Sequence, residues 1–361
     1  MQVTGAAHVL SVKIGQITKG NRIALSLLIV LVSMASGTIV PVHIAFIPIL
    51  IPPLLSTMNR MKMDRRMVAV SFGFGLKAPY ITLPIAYGAI FHGIIRDSMA
   101  AAGLDVPLSL IWKTNWMAGL TMLVGLGIGF ALYGKSREYN VGDSDLVEAE
   151  FKDVKIESAH IFALLGGLAT LIIQLLTGSL PLGAMGGLFI IIASKSVKWN
   201  QVDDLLNGGI KMMGLIAFVM LIASGYASVI KATGGVEALV DSTVLMLGGS
   251  KLGGSAIMIS LGLLITMGIG TSFGTVPVIA AIYVPLALKL GFGPAAIVFM
   301  ISIAAALGDA GSPASDTTLG PTSGLNADGQ HDQIWDTCVP QFICYNIPLI
   351  IVGILWPLVL G

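Results

Sequence analysis

The chain has 361 residues, 55% of them hydrophobic and 11% charged, with a net charge of +1 and a mean hydropathy of +0.90. A soluble domain carries roughly 25% charged residues, so this composition excludes an ordinary water-soluble globule and defines an all-α, multi-pass protein of the inner (plasma) membrane, with the lipid bilayer as its solvent. Two cysteines, Cys338 and Cys344, make neither a disulfide framework nor a metal set, and a net charge of +1 gives no expectation of nucleic acid.

A bilayer is spanned by about 20 apolar residues. Residues 1–20 contain no apolar core of a signal peptide. Ile23 to Thr57 is about 34 residues long, too much for one straight helix and too little for two full ones, and carries Ser36-Gly37-Thr38-Ile39-Val40-Pro41 near its middle. It reads as a re-entrant hairpin (23–57) with its tip at 36–41. Met67 to Phe91, with Gly73-Phe74-Gly75-Leu76-Lys77-Ala78-Pro79 inside it, reads as a broken spanning helix (67–91). Trp116 to Tyr133 is a plain span and closes a first repeat half over 1–133. Residues 134–160 are an acidic, solvated linker on the cytoplasmic side. A second half over 161–361 then opens with spans at 161–177, 182–194 and 212–230. Ile257 to Leu290 repeats the hairpin pattern (257–290), with Phe273-Gly274-Thr275-Val276-Pro277 at its tip (271–277). Ala295 to Ser323 repeats the broken helix (295–323), and 342–360 is the last span. The first half has only residues 1–20 ahead of its hairpin where the second has three spans, the pattern expected of a chain shortened at its N-terminus.

Lys and Arg set the orientation. With the loop carrying Arg60, Lys62, Arg65 and Arg66 in the cytoplasm, fourteen basic residues fall on that side and five outside, and Lys77 stays within the membrane. The same segment count opens the first hairpin inward and the second outward. Inverted repeats, each with an interrupted helix, are the mark of a carrier that alternates access around a midplane site.

Ionisable residues inside a membrane are costly and default to function. Here they are Lys77, Asp309 and Asp316. Asp309-Ala310-Gly311-Ser312-Pro313-Ala314-Ser315-Asp316 cannot be helical throughout, because Gly311 and Pro313 free backbone carbonyls; Asp316 could equally cap Thr317-Thr318-Leu319. Ser312, Ser315, Thr317 and Thr318 add hydroxyl oxygens, and Thr271, Ser272 and Thr275 add more from the hairpin tip. Hard cations take oxygen ligands, so a carboxylate among hydroxyls suits sodium, and a buried carboxylate alone also suits a proton. Lys77 occupies the place in the first copy that Asp309 holds in the second, and could neutralise that carboxylate, exchange a proton with it, or hold a substrate carboxylate. Thr38 and His43 flank the first tip. His8, His92, His160 and His331 lie at loops or ends and read as solvated.

The motifs at 270–275 (Gly-Thr-Ser-Phe-Gly-Thr) and 308–318 (Gly-Asp-x-x-Ser-Pro-x-Ser-Asp-Thr-Thr) resemble the NhaC-type sodium/proton antiporter family of the ion transporter superfamily, in a branch that includes suggested amino-acid, among them histidine, permeases. The resemblance runs from about residue 20 onward. It implies inverted repeats and assigns ion or proton binding to Thr271, Ser272, Thr275, Asp309, Ser312, Ser315, Asp316 and Thr317. The family's members carry additional N-terminal spans. Two functions follow as expectations: sodium/proton antiport, or sodium- or proton-driven uptake of a small amino acid. Partners are then Na+, H+ and lipid, in a homodimer, with no cofactor beyond bound Na+. An intramembrane aspartyl protease is the rival enzyme reading. It fails because position 306 is Ala where that motif has Gly, and because no Tyr-Asp pair supplies a second aspartate.

Overall fold

The computed structural model describes residues 21–38, 50–140, 158–177, 179–197 and 235–361, with a few isolated positions between them. All regular structure in these stretches is helical. The first half contributes α1 (Arg22–Thr38), α2 (Pro52–Arg60), α3 (Arg65–Thr82), α4 (Tyr87–Ala101) and α5 (Leu108–Tyr133). The second contributes α6 (Ser158–Thr177), α7 (Leu180–Ala193), α8 (Gly235–Leu247), α9 (Lys251–Ile269), α10 (Ser272–Lys289), α11 (Pro294–Ala306), α12 (Asp316–Leu325) and α13 (Gln333–Leu360). The span read at 212–230 and the His43 position lie outside the described residues.

Among the described residues four helices are long and apolar enough to cross a membrane, α5, α9, α10 and α13; α3 and α4 pass the same test together, bent by 53°. Local chemistry sets their ends. Asn21 accepts from the Ile23 and Ala24 amides to start α1, and Asp64 caps α3 through Arg66 N. Ser250 caps α9 and Ser315 caps α12, as short polar side chains do at orphan amides.

Hydrogen bonds fix two opposite faces. On one, Arg65 reaches Leu325 O and Asp328, Arg137 reaches Asp336, and Met63 pairs with Ser136. This basic face holds the start of α1, the 60–66 loop, the end of α5, the end of α12 and the start of α13. On the other, the Gly293 amide donates to the carbonyl of Gly361 at the end of α13, and Lys251 stands 5.3 Å from the Phe292 ring. The hairpin of α1 and α2 therefore opens at the basic face and that of α9 and α10 at the opposite face: the repeats are inverted. Residues 134–140 lie across the basic face, held by Arg137 N to Lys62 O (3.0 Å) on one side and by Asn140 N to Gln330 Oε1 (2.7 Å) on the other.

The turning points differ from the sequence reading. Ser36, Gly37 and Thr38 remain in α1. The second tip is two residues, Gly270 at φ +74° and Thr271, because α10 is already helical from Ser272 through Pro277. Pro79 does not break α3, which stays helical through Gly73, Gly75 and Lys77 to Thr82. One proline forfeits one backbone hydrogen bond, and α3 packs on α1 at Gly75, where an added Cβ would press on Ser33 and Val30. The break falls at 83–86, where Leu83 precedes Pro84 and is pushed to extended geometry, and Ala86 takes φ +49°. In the second half, the interruption at 307–315 separates α11 from α12.

Two apolar clusters fill the interior. The larger joins α3, α4 and α5 to α9, α10, α11 and α13; the smaller packs α1 and α2 on α3 around Leu25, Ile29, Leu54, Phe72 and Leu325.

Candidate functional site

Lys77 lies about 18 Å along α3 from Arg65, and Asp309 about 20 Å beyond the start of α11, at 1.5 Å per residue. Both therefore sit near the middle of a hydrocarbon core about 30 Å thick. They are 1% and 4% exposed. Their side chains meet directly: the Lys77 ammonium forms an ion pair with Asp309 Oδ2.

The unwound stretch makes this possible. Gly308, at φ +78°, turns the chain out of α11; a Cβ there would stand 2.6 Å from Met267 Cγ and 2.9 Å from Leu263 O. Asn346 on α13 holds the released backbone at two points, accepting from Gly308 N (3.1 Å) and donating to Ala310 O (2.7 Å). Gln341, one turn earlier, donates to Thr317 O (3.1 Å) and to Ala69 O on α3 (2.9 Å). Both amides lie in or beside the widened π-helical turns Gln333–Cys338 and Phe342–Asn346. Such turns commonly mark functional positions in helices.

Around Asp309 the hydroxyls converge. Ser272 Oγ donates to Oδ2 (2.6 Å) and Ser315 Oγ to Oδ1. Thr317 Oγ1 donates to the Asp309 carbonyl (2.9 Å) and lies 2.8 Å from Ser315 Oγ. Tyr80, one turn after Lys77, places its hydroxyl 2.9 Å from Ser272 Oγ, 3.2 Å from Lys77 Nζ and 3.4 Å from Asp309 Oδ2. Its ring belongs to an aromatic group with Tyr87, Phe91 and Phe273, at centroid distances of 4.5–5.7 Å. That group walls the site on the side of the α3–α4 break.

The other expected residues are spread around this centre. Thr275 Oγ1 is spent on Thr271 O (2.9 Å), within the first turn of α10. Ser312 Oγ donates to Met267 O (2.9 Å), binding the interruption to α9 rather than facing Asp309. Asp316 is the first residue of α12, in the turn capped by Ser315. Thr38 ends α1, and among the described residues no hydrogen bond joins it to Lys77 or Asp309. Two histidines read as solvated are buried instead: His92 bonds Ile81 O (2.8 Å) and His331 bonds Thr337 Oγ1 (2.7 Å). Tyr80, Gln341 and Asn346 were not anticipated. For Tyr80 the signal was available, since residues three apart share a helix face.

Two inverted hairpin repeats that meet at a buried, ion-paired carboxylate define a secondary transporter. A sequence profile of the Na+/H+ antiporter family matches residues 71–354. The chain is 48% identical over 343 residues to the proposed amino acid transporter YuiF of Bacillus subtilis (strain 168), covering 94% of this chain and 78% of that protein. It is 47% identical over 340 residues to the membrane protein VP2115 of Vibrio parahaemolyticus, covering 93% and 77%. The fold is that of solved transporters: MtrF of Neisseria gonorrhoeae, described within a class of antimetabolite efflux pumps (TM-score 0.66, 16% identity, covering 100% of this chain and 79% of that one), and the YdaH transporter of Alcanivorax borkumensis (0.62, 15%, 100% and 83%). This chain belongs to the Na+/H+ antiporter family.

Proposed function

We propose that the protein exchanges sodium for protons, with Asp309 as the carboxylate that takes sodium and Lys77 as the tethered cation that competes for it and carries the proton. The observation that carries this reading is the ion pair itself, set among the hydroxyls of Ser272, Ser315 and Thr317. In the empty carrier the ammonium satisfies Asp309. An arriving Na+ takes the carboxylate and hydroxyl oxygens, as hard cations do, and displaces Lys77. An unpaired ammonium in an apolar interior is costly and sheds its proton rather than remain charged. Proton release then accompanies sodium binding, and reprotonation of Lys77 on the other side expels sodium. Tyr80 offers the displaced nitrogen a hydroxyl partner without a change of rotamer at Asp309.

In proteoliposomes, sodium pulses are expected to evoke proton flux with the wild type and none with Asp309→Asn. Retention of that flux in Asp309→Asn would show the assignment to be wrong.

The name of the YuiF relative supports a second reading, cation-driven uptake of an amino acid. There, Lys77 would hold the substrate carboxylate. Radiolabelled histidine uptake under a sodium or proton gradient, in the same vesicles, separates the two. Uptake without sodium-evoked proton flux would replace the antiport reading.

A further inference from the structure

Where the ends of α1, α3 and α5 meet on the basic face, they line a shallow cleft that is open to its surroundings. Its lining is split by chemistry. Arg22, Ser26 and Asp64 bring polar groups, whereas Met67 and Phe130 are apolar and Tyr133 presents both an aromatic ring and a hydroxyl. We propose that this cleft binds the headgroup of an anionic phospholipid.

The electrostatics favour an anion. Arg22 is half-buried and, among the described residues, forms no ion pair. Arg66 lies with its guanidinium 4.8 Å from the Tyr133 ring centroid and keeps 34% of its side chain exposed. Lys135 adjoins lining residue Gly134 in sequence and is exposed, whereas Lys62, beside Met63, is paired with Glu138 at 2.6 Å. The N-termini of α1 and α3 also lie at the cleft, where helix dipoles present partial positive charge. Among the described lining residues the one carboxylate is Asp64, and both its oxygens are held by Arg66 at 2.6–3.0 Å, with Arg137 3.9 Å from Oδ1. It acts as the internal counter-ion of Arg66 and leaves Arg22 to a ligand.

The surroundings choose a lipid over a free phosphate. Ile23, Leu27 and Leu31, at successive turns of α1, are 47–61% exposed, and Leu132 on α5 is 49% exposed. The α1 row runs from the cleft along the helix toward the hydrocarbon, and Leu132 adds one apolar side chain beside the cleft on α5. A headgroup seated at Arg22 would lay its acyl chains along them, whereas inorganic phosphate would make no use of them. Basic pockets between transmembrane helices on a positively biased face suit anionic headgroups. Lys77 lies about 18 Å deeper, so this site is separate from the transport site and does not rest on the exchange mechanism.

The test is native mass spectrometry of the delipidated full-length protein with phosphatidylglycerol, phosphatidylcholine or inorganic phosphate added, alongside melting curves in the same additives. The wild type is expected to retain phosphatidylglycerol several-fold over phosphatidylcholine, and to melt higher with it than with phosphate. Arg22→Gln is expected to lose at least half of that preference, and Arg22→Lys to keep it, which distinguishes charge from misfolding. Three outcomes overturn the proposal: equal retention of the two lipids, stabilisation by phosphate equal to that by phosphatidylglycerol, or undiminished preference in Arg22→Gln.

Discussion

The Tyr80 hydroxyl and Ser272 Oγ stand 2.9 Å apart, joining the continuous helix of the first repeat to the hairpin tip of the second, and both reach the same oxygen of Asp309. The contact ties the two halves together at the point where they must separate or re-form during transport. It also identifies which oxygen of Asp309 is crowded: Oδ2 meets Lys77, Ser272 and Tyr80, while Oδ1 meets Ser315.

Removing one member of the buried pair should cost far more than removing both. Lys77→Met strands a buried carboxylate, a loss of about 3–5 kcal/mol in comparable cases. Lys77→Met with Asp309→Asn should recover most of it. Thermal melts of detergent-purified protein read the difference. Sodium should raise the melting temperature of Lys77→Met more than that of the wild type, because the tethered competitor is gone. Insensitivity of that variant to sodium would contradict competition.

Tyr80→Phe deletes one hydroxyl and keeps the aromatic packing against Phe91 and Phe273. The stability loss should be about 1 kcal/mol, the net worth of one hydrogen bond. Sodium-evoked proton flux should fall while the protein remains folded. A variant with wild-type flux at every sodium concentration would remove Tyr80 from the mechanism.

Acid should loosen the basic face in two stages. Burial is the main reason that the His331 imidazole drops to about 4, with Asp336 acting against the shift and Arg65 and Arg137 adding to it. The neutral ring is thus the folded form, against an unfolded value near 6.5. Its stabilisation is complete above about pH 6.5 and is lost as pH falls toward about 4, on the order of 3 kcal/mol in total. Burial pushes the Asp328 carboxyl up, but hydrogen bonds and charge from Arg65 outweigh it and hold the group below its ordinary value. Its contribution persists until pH falls below about 4. Melting temperature between pH 7 and 4.5 should therefore decline in the wild type and much less in His331→Gln. Parallel declines would exclude His331 as the cause.

Gly308→Ala should disable transport and lower the melting temperature. The left-handed conformation alone costs roughly 1–2 kcal/mol for a residue with a Cβ, and that atom would press on Met267 and Leu263. Gly268→Ala is the control: it lies in α9 with no atom within 4 Å of its added Cβ, and alanine is the better helix former. Equal tolerance of both changes would show that the turn at 308 can be rebuilt.

The interruption at 307–315 was legible because Gly308, Gly311 and Pro313 fall within six residues and no regular helix accommodates all three. The bend after α3 was legible too, in Leu83-Pro84, within the broken helix read over 67–91. What distinguishes Pro79 from Pro84 is tertiary: α1 packs closely against α3 at Gly75, one turn before Pro79. The repeat symmetry placed Lys77 and Asp309 at matching positions and left their pairing as one of three alternatives, and the clamps from Gln341 and Asn346 were not legible, since they come from an apolar span with no motif of its own. Burial of His92 and His331 was invisible for the same reason: each depends on which neighbouring helix covers it.

The pairing of Lys77 with Asp309 bears on how the carrier senses voltage. Whether the proton sits on the nitrogen or the carboxylate, the two groups sum to zero charge. Moving a full charge across the bilayer would involve about 2.3 kcal/mol per 100 mV. Under the proposed exchange the sodium-loaded site, with the Asp309 carboxylate, Na+ and a neutral Lys77, also sums to zero, so both crossings escape that term and a one-for-one exchange at this pair is electroneutral.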